Sequence, residues 1–258
     1  MRKRLLILFA TLFTLCSIVG IVLLVDNNIK YRRAAAYYEQ LAKLATQTTP
    51  APSTTTAPEQ EPDPLPAPES YESPIDFEAL FKINPDIVGW ISMPDLDIDF
   101  PIVQGATNDT YLRTAVDGSY SKAGSIFLDY ESDPSLGGRH CIIYGHNLKT
   151  GVMFEPLTRL KSEEEFNAHR DLTLYTPDRT IKLRIFAAYA GPSEAIQRKT
   201  KFSSDESFAD YITEMTAPCT FADPPDFAIS TLYSFITCSY EKNDYRTYIY
   251  AYEVPQEP

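Results

Sequence analysis

The chain carries no G-x-x-x-x-G-K-[ST] and no G-x-G-x-x-G run, so no loop in it is suited to cradle a nucleotide phosphate. It has no C-x-x-C pair, and its three histidines include no H-E-x-x-H, which removes the usual zinc patterns. Basic residues are in deficit: 23 Lys and Arg face 35 Asp and Glu, and a net charge of −12 has the wrong sign for a nucleic-acid partner. Cysteine is scarce. Of Cys16, Cys141, Cys219 and Cys238, the first lies in an apolar run, leaving three outside it. An odd number leaves at least one free thiol unless molecules pair with one another, and a bridge between Cys141 and Cys219 stays open. No internal repeat is visible. The expectation is a protein without metal, cofactor or nucleic acid.

What is present divides the 258 residues into unequal parts. Residues 1–4 form a basic head, and 5–25 hold no charge and are long enough to cross a bilayer as a helix. A cleaved signal peptide is the competing reading, since Ala34-Ala35-Ala36 imitates a cleavage site, but its apolar core is normally shorter, about 7–15 residues. The short head and the large domain behind it place the N-terminus inside and the domain outside. Residues 26–45 read as a helical stalk, with Glu39 four places before Lys43. Residues 46–74 are rich in Pro, Thr, Ala and Glu, which suits an extended spacer that holds the domain off the membrane. The folded domain is expected over 75–258.

Within it, Asp76 is a candidate cap for a first helix, and Ile87–Met93 and Ile98–Val103 read as strands around a Pro-Asp turn. Further strands are expected at 125–129, 140–144, 172–175 and 180–189. Helices are expected at 152–160, 163–168 and 205–215. Many short strands, with helices only at the start and in crossovers, point to a mainly β fold: a closed barrel of about eight strands.

Two stretches carry chemistry. Phe235-Ile236-Thr237 favours a strand that ends at Cys238, and Tyr245-Arg246-Thr247-Tyr248 reads as its hairpin partner, which returns Arg246 beside the thiol. A fixed guanidinium favours the thiolate, so Cys238 is a candidate nucleophile. Tyr144-Gly145-His146-Asn147 ends another strand and presents His146 on a loop, where catalytic groups tend to sit. Other residues have plainer readings. Cys141 is a buried packing residue, Cys219 a structural or exposed thiol, and His140 and His169 solvated strand-edge or loop residues.

The order Tyr-Gly-His-Asn at 144–147, Thr237-Cys238 and Arg246 resembles the sortases, membrane-anchored cysteine transpeptidases of Gram-positive bacteria. Similarity extends over about 76–253. Class B is nearest, on Val88-Gly89-Trp90-Ile91, Pro101-Ile102-Val103-Gln104-Gly105, Gly124 to Asp129, Met153-Phe154, Thr-Cys-x-Tyr-Glu at 237–241 and the helix before the catalytic strand. Ser234-Phe235-Ile236 departs from the family's usual Thr-Leu-x in that position. The resemblance implies that Cys238 attacks the threonine carbonyl of a partner's C-terminal sorting signal and that His146 moves the protons. It further implies that Arg246 and the Ser239 backbone N–H steady the oxyanion, that Asn147 orients His146, and that Asn108 and Leu112 line the signal groove. The partners so implied are surface proteins with that signal and an amine acceptor, on a peptidoglycan precursor or a pilin. Two other functions compete: a catalytically silent, membrane-tethered wall-binding scaffold, and a thiol hydrolase whose acceptor is water.

Overall fold

In the computed structural model, residues 2–46, 71–148, 150–219 and 221–255 are described. Helix α1 (Arg2–Thr46) joins the apolar run and the stalk in one rod. Its described large apolar side chains between Leu6 and Val25 face outward, and by length and composition it can cross a membrane, a test that a signal sequence also passes. Beyond Asn28 the helix changes partner. Tyr38, Leu41 and Ala45 are buried against the domain, with Tyr31, Ala34 and Tyr37 packed beside them. The stalk therefore lies on the domain instead of standing free.

Residues 47–70, most of the expected spacer, lie outside the described residues. Their flanks, however, meet: the N–H of Asp76 donates to the Ala45 carbonyl at 3.0 Å.

Asp76 caps α2 (Phe77–Ile83) by accepting from the Ala79 N–H at 2.8 Å, as its side chain suits it to do. Strands β1 (Ile87–Met93) and β2 (Ile98–Val103) fall where alternation puts them, joined through a 3₁₀ turn at Pro94–Leu96 and a left-handed Asp97 at φ 53°. There follow β3 (Ile126–Leu128), β4 (His140–Tyr144), α3 (Glu163–Ala168), β5 (Asp171–Tyr175), β6 (Thr180–Pro192), α4 (Asp205–Thr216), β7 (Leu232–Cys238) and β8 (Tyr245–Glu253). The strands close into a barrel in the order β1-β2-β3-β4-β7-β8-β6-β5. Its β2–β3 and β4–β7 pairs are parallel, the remaining pairs antiparallel.

One expected helix is absent. Over 152–160, Met153 takes a left-handed φ of 61° and pairs with Asn147, so only a 3₁₀ turn, Pro156–Lys161, remains. Two apolar cores result. Trp90, Phe154 and Phe235 belong to the one inside the barrel; Phe208, Tyr211 and Met215 of α4 cover its outer face over Ile142, Tyr248 and Tyr250.

Candidate active site

Register places the functional side chains. Parallel β4 and β7 pair Tyr144 with Ile236, and the Gly145 N–H donates to the Ile236 carbonyl at 3.1 Å. Two residues on, and on the same face, lie His146 and Cys238. On the other side of β7, antiparallel β8 pairs Cys238 with Arg246. The Ser239 N–H donates to the Tyr245 carbonyl at 2.9 Å, the bond that brackets a non-hydrogen-bonded pair. In such a pair the Cα atoms stand about 4.5 Å apart, with both side chains on one face. The thiol thus has the imidazole on one flank and the guanidinium on the other. Asp244 turns the hairpin at φ 63°, and its carboxylate lies 3.6 Å from the Arg246 guanidinium, which also donates to the Tyr245 carbonyl at 3.1 Å.

The His146 loop is fixed by packing. A Cβ on Gly145 would stand 2.6 Å from Phe154 and from Ile126, so only glycine lets the chain leave β4 this closely. The Phe154 N–H donates to the His146 carbonyl at 3.0 Å and the Asn147–Met153 bridge closes the loop. The His146 ring is half-buried, with Nε2 2.7 Å from the Leu112 carbonyl. A carbonyl only accepts, so Nε2 carries the hydrogen. Nδ1 has no hydrogen-bond partner among the described residues.

His146, Cys238 and Arg246 line one cavity of about 250 Å³, together with Asn108, Leu112 and Arg198. Beneath its wall lies Asp129, fully buried, with one carboxylate oxygen accepting from Tyr144 Oη at 2.9 Å and from Asn108 Nδ2 at 2.8 Å, and 3.5 Å from Arg198 Nε. A buried carboxylate needs such partners. Burial, and then the Asp129 charge, raise the Tyr144 phenol well above its ordinary value and keep it a donor. Thr237, also on the cavity wall, keeps a buried hydroxyl without a partner among the described residues.

The structure brings Cys238, His146, Arg246, Asn108 and Leu112 to this cavity, and redistributes the rest. Ser239 has its N–H committed to Tyr245, so it is not open to an oxyanion in this conformation; its hydroxyl holds Glu241 at 2.9 Å. Asn147 does not hold the His146 ring. Its Nδ2 donates to the Cys238 carbonyl at 2.7 Å, while its own carbonyl accepts from Tyr240 Oη at 2.6 Å. These bonds tie the histidine loop to the thiol's backbone. Asn108 is engaged on both ends of its amide, to Asp129 and to the Tyr130 N–H at 3.1 Å, which makes it scaffold for the wall. Leu112 is exposed toward the cavity and contributes its carbonyl to His146.

The other thiols and histidines contrast with these. Cys141 and Cys219 are free, with no bridge between them, and burial pushes both up to about 12. His140 is buried, which corrects its reading as a solvated edge residue. Its Nδ1–H donates to the Lys199 carbonyl at 2.8 Å, and the Ser234 hydroxyl donates to Nε2 at 2.6 Å. Burial lowers its pKa to about 4. His169 stays partly exposed between Asp95 and Glu165, at 3.7 and 3.8 Å.

A family model described as Sortase domain matches residues 91–254. Sortase B of Listeria monocytogenes is 33% identical over 140 residues, 54% of this chain and 57% of that protein, so the match spans little more than half of the relative. Among solved structures, Clostridium perfringens sortase B is 33% identical with a TM-score of 0.66, covering 70% of this chain and all (100%) of that one. Bacillus anthracis sortase B, in complex with AAEK1, is 28% identical with a TM-score of 0.72, covering 89% of this chain and 100% of that one.

Proposed function

The chain belongs to the sortase family, and on that premise we propose that it is a class B-like cysteine transpeptidase acting on surface proteins with a C-terminal sorting signal. The observation that carries this reading is the single cavity lined by Cys238, His146 and Arg246. The Cys238 thiolate attacks the threonine carbonyl carbon of the signal, and the C=O electron pair moves onto oxygen. Arg246, permanently charged and rigid, stabilises that oxyanion. As the oxyanion collapses, the C–N bond breaks, His146 gives its proton to the departing amine, and a thioester on Cys238 remains. An amine on a peptidoglycan precursor or a pilin then attacks the thioester. His146 takes the proton from that amine, and the thiolate leaves. Because Nε2–H is held by Leu112, the mobile proton belongs on Nδ1. Asn147 keeps the two loops in step.

Residues 5–25 serve as an uncleaved anchor, 1–4 lie inside, and 75–258 act outside. The test is to incubate the full chain with sorting-signal peptides and an amine. Transpeptidation that disappears in Cys238→Ala is the expected result. Cleavage with water alone as acceptor identifies a hydrolase, and thiol-independent turnover, or none, overturns the assignment.

A further inference from the structure

Helix α1 not only tethers the domain but fixes its height. The uncharged run ends at Val25, and Asn27 lies about 3 Å further along the axis at 1.5 Å per residue. There Asn27 Oδ1 accepts from Lys122 Nζ at 2.9 Å. Lys122 belongs to the loop between Thr114 and Ser125, which packs on the helix. About three turns further up the helix, roughly 16 Å beyond Asn27 along the axis, Tyr38 Oη donates to the Gly124 carbonyl at 2.7 Å and meets Ser125 Oγ at 3.1 Å. The polar zone of a bilayer adds about 5–7 Å on each side of the hydrocarbon core. With residues 5–25 in that core, Lys122 and Lys30 stand at headgroup level and the rest of the loop rises along the helix above them.

The chemistry at this height suits that position. In a chain of net charge −12, Lys30, Arg33 and Lys122 gather here around two acids, Asp26 and Asp117. Asp26 is already paired with Lys30 at 2.6 Å. Between helix and loop opens a cleft of about 320 Å³ lined by Lys30, Arg33, Lys122, Asp117, Ser119 and Tyr120. Tyr120, 70% exposed, is an apolar ring with a polar tip, the type that settles at a membrane interface.

We infer that this cleft and the 114–122 loop form a docking surface for the headgroups of anionic phospholipids, which seats the barrel on the membrane. The inference rests on the proposal that 5–25 is a retained anchor. It also has a consequence for the site. Gly124, at φ 58°, lies so close to the Leu112 carbonyl oxygen that a Cβ there would stand 2.6 Å from it, and that carbonyl holds His146. The membrane-facing loop and the catalytic histidine therefore share one short piece of backbone.

The experiment uses the full chain carrying Tyr120→Trp, reconstituted into vesicles of phosphatidylcholine alone or mixed with phosphatidylglycerol, each with acyl chains brominated near the headgroup. The native Trp90 is fully buried and supplies the unquenched background. The expected result is quenching at least about twofold stronger with phosphatidylglycerol, since basic residues near an anionic surface are drawn to it. It should fall toward the phosphatidylcholine level in Arg33→Glu/Lys122→Glu and, without any substitution there, in 1 M salt. No quenching in either vesicle would show that the barrel stands clear of the bilayer. Equal quenching in both, insensitive to salt, would mean that no headgroup is recognised; either result overturns the inference. Release of the chain by alkaline carbonate would instead sink the anchor, and the docking surface with it.

Discussion

Strand β4 has a histidine at its start and another just past its end, and the surroundings of the two differ in one decisive respect. Each gives one ring N–H to a backbone carbonyl, His140 to Lys199 and His146 to Leu112. His140's second nitrogen is satisfied by Ser234 under the cover of α4, whereas that of His146 faces a cavity. The neighbouring thiols repeat the contrast. Cys141 beside His140 is sealed and pushed up to about 12, while Cys238 beside His146 is half-exposed with Arg246 opposite. One end of the β4–β7 pair is thus polar structure, and the other is chemistry. α4 over the sheet's outer face seals His140, and the barrel interior seals Cys141.

Exchanging the thiols should break the comparison most strongly. Cys238→Ala is expected to lower transpeptidation by about 10⁴-fold or more, as removal of a nucleophile does. Cys141→Ala should leave the rate within about threefold and cost about 1 kcal/mol of stability. Peptide turnover and denaturant titration read the two. Arg246→Ala follows, with an expected loss of about 10²–10³ in kcat, typical for one oxyanion donor. Arg246→Lys should recover only part, because an ammonium lacks the guanidinium fork. A rate unchanged in Arg246→Ala would leave the cation no part in the step.

At the sealed end the expected effect is on stability, with a definite sign. The unfolded chain protonates His140 at about 6.5, whereas the folded chain resists until about 4. In that window the unfolded state binds more protons, so the stabilisation is complete above it and is lost as pH falls through it. The difference amounts to about 3 kcal/mol. Unfolding followed between pH 7 and pH 4 should show this slope in the native chain and a flatter one in His140→Gln. A smaller effect than at Arg246 belongs to Asn147→Ala, which removes one buried bond to the Cys238 carbonyl. About tenfold in kcat is expected, with little change in KM, from a bond worth about 1–1.5 kcal/mol. A change in KM alone would mean that Asn147 acts on substrate binding.

The same contrast explains what could be read in advance. Cys238, His146 and Arg246 were legible because each lies at a strand end marked by local alternation, and a hairpin fixes the pairing of two of them. The burial of His140 was not legible. His-Cys-Ile-Ile-Tyr says that a strand is apolar but not that α4, some 60 residues later, covers its outer face. Asp129 was invisible for a similar reason, since its partners Asn108, Tyr144 and Arg198 meet only in the closed barrel. Ser239 and Asn147 were assigned through likeness to a family, whereas their bonds depend on register at the hairpin tip. The Pro-rich segment was read from composition alone, and residues 47–70 lie outside the described residues.

Trapping the acyl-enzyme shows whether Cys238 is the nucleophile. The full chain is mixed with excess sorting-signal peptide and no amine, acid-quenched within seconds, and weighed intact and after peptide mapping. One acyl adduct on Cys238 is predicted, labile to hydroxylamine, with none on Cys16, Cys141 or Cys219. Peptide cleavage that proceeds while Cys238 stays unmodified, or an adduct on another residue, would contradict it.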